Sequence, residues 1–310
     1  MLKTSSNLTS FWGTHFMLPT PFTEDYEIDF HSLEKLLEVS ISAKCKGVVT
    51  LGVMGEANRL LDTERLEIMK FVISKINQRL PVTVGVSSDS NYVLKSRILE
   101  AQKLGASSLL ICPPRLNKPN NLSILEYYKI AQTYSEIPVV LQDLPSESGV
   151  FLDINMIKKL HSEFPIIKMI KLEDPPTPPK ISNILNEIPN ISIFGGLGGA
   201  FFLEELRRGA TGTMTGFAYP EVLSSIYDNV TKGNYDMAKK IFNYWIPLIR
   251  YENSAGIGLS IRKNILKHRG IIKYDYVRKP TPEIDTNTKK ELSYILDSLN
   301  ILENSENFSL

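Results

Sequence analysis

The sequence predicts an α/β fold, a closed (β/α)8 TIM barrel with a C-terminal helical extension. Three observations carry this. Eight short β-rich apolar runs alternate with helix-period segments, spaced roughly 20–35 residues apart as βα units require. Several helical segments exit through a glycine that leads into the next run. After residue 217 the strand pattern stops and only helical periodicity remains. An open doubly wound sheet is the rival, but no Gly-x-Gly-x-x-Gly follows the first run.

The runs lie at residues 16–19, 47–51, 82–86, 108–112, 139–142, 166–171, 191–194 and 212–215. Between them, Leu66, Met69, Ile73 and Ile76 share one helical face, and Leu94, Ile98, Ala101 and Leu104 another. Asp62 and Asp153 read as helix starts, and Ser123 with Glu126 as a capping box opening a helix over 124–134. Lys46-Gly47, Leu104-Gly105 and Arg208-Gly209 are the helix exits. Residues 221–230 complete the barrel; 235–251, 256–268 and 288–301 form the extension, with Pro247 expected to kink the first of these. Arg278 to Pro282 reads as an extended surface link. The expected organisation is a barrel over 13–231 and a helical region over 232–302, with 1–12 and 303–310 as flexible ends.

The 310 residues are 43% hydrophobic and 22% charged, with 35 Lys and Arg against 34 Asp and Glu. Enough apolar mass exists for a large core, which excludes disorder as the main state. A net charge of +1 argues against a nucleic-acid binder working through a strong positive field. Two cysteines are too few for a disulfide framework and suit a reducing compartment. The N-terminus lacks an apolar stretch of signal-peptide length, and 191–203 is too short to span a bilayer. The expectation is a cytoplasmic protein without a membrane partner.

Barrel chemistry sits at the C-terminal ends of the strands. The second run ends in Gly52-Val53-Met54-Gly55-Glu56, where successive amides can form a nest for a carboxylate or simply a tight βα turn. The sixth run holds Lys168 and Lys171 in an apolar setting. Three residues apart, they face opposite sides of a strand. One can point into the barrel as a Schiff-base amine; alternatively, both snorkel to the surface. The fifth run ends in Gln142-Asp143-Leu144-Pro145, and the seventh in Gly195-Gly196. The four histidines have no metal-ligand spacing. No Gly-x-Ser-x-Gly occurs, and Cys112 reads as an inert packed thiol.

Together these motifs resemble the dihydrodipicolinate synthase and N-acetylneuraminate lyase family of lysine-dependent pyruvate aldolases. The resemblance runs from about Gly13 to about Leu302. It rests on Thr20-Pro21-Phe22 with Ile28-Asp29, Gly52-x-x-Gly55-Glu56, Leu144-Pro145-Ser146 with Gly149, Ile170-Lys171 and Gly195-Gly196. It implies a Schiff-base lyase (aldolase, synthase or dehydratase) acting on pyruvate or a related 2-oxo acid through Lys171. It implies no metal or organic cofactor, and assembly as a homotetramer or homodimer.

The implied substrate-binding residues are Thr20, Gly52, Val53, Met54, Gly55, Glu56, Gly196 and Met214. The chain departs from the family pattern where Val53 and Met54 replace a hydroxyl pair, Gln142 replaces the strand-five tyrosine, and Glu147 stands in place of an arginine. An amide cannot relay a proton. Glu173 or Glu56 then becomes the expected proton carrier, with Gln142 positioning substrate or water. Dihydrodipicolinate synthase activity proper is one alternative. A barrel that binds a carboxylate without turning it over is another.

Overall fold

The computed structural model describes residues 8–299. Eight parallel strands close into a barrel in chain order: β1 (Gly13–Met17), β2 (Gly47–Thr50), β3 (Val82–Gly85), β4 (Ser108–Ile111), β5 (Val139–Asp143), β6 (Ile167–Leu172), β7 (Ser192–Gly195) and β8 (Gly212–Thr215). β1 pairs with both β2 and β8, so no edge strand is left open. The expected barrel is therefore present. β1 begins earlier than the 16–19 run because Gly13, Thr14 and His15 pair with β8. All five β1 residues are buried although that stretch is not uniformly apolar.

The outer layer comprises α1 (Phe30–Ser42), α2 (Asp62–Ile76), α3 (Asn91–Leu104), α4 (Asn121–Tyr134), the single turn α5 (Pro145–Ser148), α6 (Ile154–Glu163), α7 (Thr177–Glu187), α8 (Phe202–Arg207) and α9 (Pro220–Thr231). The extension is α10 (Tyr235–Glu252), α11 (Gly258–His268) and α12 (Thr286–Ser298). Asp153 caps α6 by accepting from the Met156 amide at 2.7 Å. Asp62 is the first residue of α2 rather than its cap. Asn120, not Ser123, caps α4: its side chain accepts from the Ser123 amide at 3.0 Å, so the helix starts three residues earlier than the capping box suggests.

Gly105 and Gly209 stop their helices in the left-handed conformation. Gly47 does not: it lies within β2, where a Cβ would sit 2.4 Å from the His15 ring. α7 opens inside the proline run, where the first helical turn needs no amide donors. α10 runs unbroken through Pro247.

Strand alternation divides the apolar side chains into two cores. The larger lies between strands and helices and includes Val48, Leu109, Leu141, Ile170 and Ile193. The smaller fills the barrel and includes Met17, Val49, Met54, Leu110, Val140, Met169, Phe194 and Met214. Each fully buried side chain of this size contributes about 1.5–3 kcal/mol by leaving water. His15 closes the floor, stacked on Phe11 and bonded to the Phe11 carbonyl at 2.7 Å. Burial lowers its pKa to about 4. Residues 8–12, within the expected flexible end, thus include buried Phe11, and the Trp12 indole donates to Ser192. Residues 1–7 and 300–310 lie outside the described residues. Among the described residues no helix is long and apolar enough to cross a membrane.

Candidate active site

Period two carries the interior of the barrel into its mouth. Met169 and Val140 belong to the inner core, so Lys171 and Gln142, two residues further on, stand one layer above them. The β5–β6 register sets Gln142 directly beside Lys171. Glu173 keeps the same side as Lys171, and its amide extends the pairing by donating to the Asp143 carbonyl at 2.9 Å. The three side chains meet. Lys171 Nζ lies 2.7 Å from Glu173 Oε2, and Gln142 Nε2 donates to that oxygen at 2.8 Å. Lys171 and Gln142 are each 2% exposed, whereas Lys168 is exposed. The opposite facing of the two lysines holds.

Gly196 acts differently from a pocket liner. A Cβ there would lie 2.4 Å from Glu173 Cγ, so the glycine makes room for the carboxylate. The loop after β6 is anchored by Lys180, whose ammonium reaches Asp143 Oδ2 (2.7 Å), Asp174 Oδ2 (2.8 Å) and the Leu152 carbonyl (2.8 Å). Burial raises Asp143 to about 6 against the pull of Lys180.

The turn after β2 is a short 3-10 helix, Val53–Gly55. Its Gly55 and Glu56 amides are consumed by the Gly52 and Val53 carbonyls. The Val53 and Met54 amides ahead of them have no main-chain acceptor among the described residues. Thr20 Oγ1 fixes the turn by donating to the Gly55 carbonyl at 2.7 Å. Val53 is 44% exposed at the mouth, whereas the Met54 and Met214 side chains point into the inner core.

Glu56 departs from expectation. Its carboxylate is wholly buried, with Oε1 2.5 Å from Lys263 Nζ and Oε2 accepting from the Arg278 amide at 2.9 Å. It braces the turn against the extension and is unavailable to substrate. Burial lowers Lys263 to about 8 despite this partner. Arg262 stands beside Lys263, its Nη1 3.0 Å from Met54 Sδ and its Nε 3.2 Å from Glu252. Sequence reasoning missed Lys180, Arg262, Lys263 and Arg278. The last three lie some two hundred residues from the turn they support, beyond the reach of any local motif.

A cleft of about 580 Å³ opens above the site, reaching from Gly52 and Gln142 out to Arg59 and Arg115. Cys112 lines it, its thiol pushed up to about 12 by burial, which fits the inert reading. Among the described residues no cluster of His, Cys, Asp or Glu could hold a metal ion.

The sequence model of the Dihydrodipicolinate synthetase family matches residues 10–299. The chain belongs to that family. It is 28% identical to an L-2-keto-3-deoxyarabonate dehydratase of Azospirillum brasilense, over 96% of this chain and 98% of that protein. It is also 28% identical to a 4-hydroxy-tetrahydrodipicolinate synthase of Brachyspira hyodysenteriae, over 76% of each chain. Among solved structures, the dihydrodipicolinate synthase of Rhodopseudomonas palustris superposes with a TM-score of 0.88 at 31% identity, covering 94% of this chain and 98% of that one. The resemblance read from the motifs is thus borne out. The protein is an aldolase-type lyase of the dihydrodipicolinate synthetase family.

Proposed function

We propose that this family member is a Schiff-base lyase that dehydrates a hydroxylated 2-oxo acid through Lys171. The observation that carries this reading is the buried Lys171–Glu173 contact at 2.7 Å with Gln142 on the same carboxylate oxygen. Glu173 takes a proton from the Lys171 ammonium. The neutral amine attacks C2 of the substrate, and the ketone oxygen takes that proton back from Glu173 and leaves as water, giving an iminium and an ionised Glu173. The same carboxylate removes a proton from C3, and the electron pair of the resulting enamine expels hydroxide from C4. Glu173 returns its proton to that leaving group, which departs as a second water; one water then hydrolyses the product iminium, restoring the C2 ketone and freeing Lys171.

The substrate carboxylate lies on the Val53 and Met54 amides in a turn shaped by Gly52 and Gly55 and fixed by Thr20. The thioethers of Met54 and Met214 supply an apolar floor, and the chemistry asks for no cofactor. The near full-length similarity to a dehydratase supports this choice within the family. Synthase activity proper is the second reading, favoured by relatives of that name. Against it stand Val53, Met54, Gln142 and Glu147, which supply neither the hydroxyl relay nor a cation. A barrel that only binds is disfavoured because it has no need to bury a lysine against a carboxylate. The free cysteines Cys45 and Cys112 suit a cytoplasmic setting, and a homodimer or homotetramer is the proposed assembly.

Borohydride reduction in the presence of pyruvate, read by intact mass and peptide mapping, tests the core of this reading. Lys171→Ala should abolish the adduct while Lys168→Ala keeps it. Labelling that persists without Lys171 would overturn the assignment. Condensation of pyruvate with aspartate semialdehyde should be slow or absent. A turnover number in the ordinary enzyme range, about 1–10³ per second, would favour the synthase reading instead.

A further inference from the structure

The cleft is far larger than a three-carbon acid requires, and its outer half is not electrically neutral. Along the wall that follows β2 and β3, the acidic groups are already taken. Glu56 pairs with Lys263 at 2.5 Å and Glu64 with Arg278 at 2.5 Å. Asp62 pairs with Arg97 at 3.1 Å and Asp89 with Arg115 at 3.2 Å. Arg65 spends its donors on the Ala57 and Gly85 carbonyls.

Arg59 is left over. It lines the cleft half-buried, and its guanidinium has no hydrogen bond or ion pair among the described residues. Its backbone is nevertheless held at both ends. Its amide donates to the Glu56 carbonyl at 2.7 Å, and its carbonyl accepts from Arg278 Nη1 at 3.0 Å. A rigidly mounted, unpaired guanidinium facing a ligand cleft suits a carboxylate or phosphate, which its planar fork can bind bidentately. Among the described residues, the other lining charge without an ion pair or side-chain hydrogen bond is Glu147, after β5 and near Cys112, whose thiol it helps to raise. The cleft is therefore polarised, negative beside Gln142 and positive at Arg59. An anionic substrate tail is repelled from one wall and drawn to the other.

We propose that Arg59 forms a distal anion subsite, so that the substrate is a 2-oxo acid carrying a carboxylate or phosphate at its far end. This rests on the reading of the inner cleft as a Schiff-base site. Adduct formation on borohydride reduction should half-saturate at a concentration about tenfold or more lower with 2-oxoglutarate than with 2-oxopentanoate, which has the same chain length but no second carboxylate. Arg59→Gln should bring that ratio toward one, and Arg59→Lys should recover part of it.

A second measurement needs no adduct. Calorimetric titration with glutarate, and separately with 3-phosphonopropionate, should show about tenfold or greater weakening in Arg59→Gln for whichever anion the subsite prefers. Absence of any adduct together with this weakening would remove the Schiff-base reading and leave the subsite standing. Equal half-saturation by the two 2-oxo acids, or unchanged binding of both diacids by Arg59→Gln, would overturn the subsite.

Discussion

Gln142 shows how little of a side chain's role its identity alone reveals. Alternation from Val140 turns it inward, and that much is legible without coordinates. Its partner is not, because the contact to Glu173 depends on the register between two strands far apart in sequence. The amide donates to the carboxylate and cannot itself move a proton. Gln142→Ala should therefore cost about 1–3 kcal/mol of transition-state stabilisation, roughly 5- to 150-fold in single-turnover rate. The reduced Lys171 adduct should remain obtainable. A variant that turned over like the parent would make Gln142 a spectator. Glu56 hides its role more completely than Gln142 does. A carboxylate at the end of a glycine turn looks available for substrate until the buried lysine 207 positions away is seen against it.

At the level of elements, strands and helices were legible because period two and period 3.6 differ sharply. Their starts were less so, because a better cap upstream can capture the amide, as Asn120 does ahead of Ser123. The docking of α11 was not legible at all. Lys263 reads as an ordinary helical lysine, yet it is wholly buried on Glu56 with its ammonium over the Phe22 ring. Lys263→Met should lower stability by about 3–5 kcal/mol, since Glu56 is left buried and uncompensated. Adding Glu56→Gln should restore much of the loss. Urea midpoints of the two variants measure this, and a double variant no better than the single would show that packing, not charge, is at stake.

On the scale of the whole molecule, closure of the barrel follows from eight alternating units, but the inventory of buried carboxyl groups does not. Burial pushes Glu205 and Glu252 up to about 7 and Asp143 to about 6. Glu205 accepts from Thr177 at 2.6 Å through one oxygen, while the other has no partner among the described residues. Its folded pKa lies above the ordinary glutamate value of 4.5. The folded chain therefore holds a proton that the unfolded chain has released. The associated stability is fully present below about 4.5 and is lost as pH rises through about 7. Glu205→Gln, an isostere of the protonated acid, should remove that loss and be more stable than the parent at pH 8 by up to about 3 kcal/mol. Denaturant midpoints at pH 5 and pH 8 measure the difference. A pH slope unchanged by the substitution would mean that Glu205 stays ionised throughout.

The brace between the β2 turn and the extension has a consequence for how the protein is made. Translation delivers all eight strands before α11 and the segment around Arg278 have been synthesised. Until those residues arrive, Glu56 and Glu64 lack the cations that pair with them in the folded chain, and the turn after β2 lacks its backing. A nascent chain can thus close its barrel on the ribosome while its catalytic mouth is still unfinished. The brace at the mouth therefore forms after the framework that it completes.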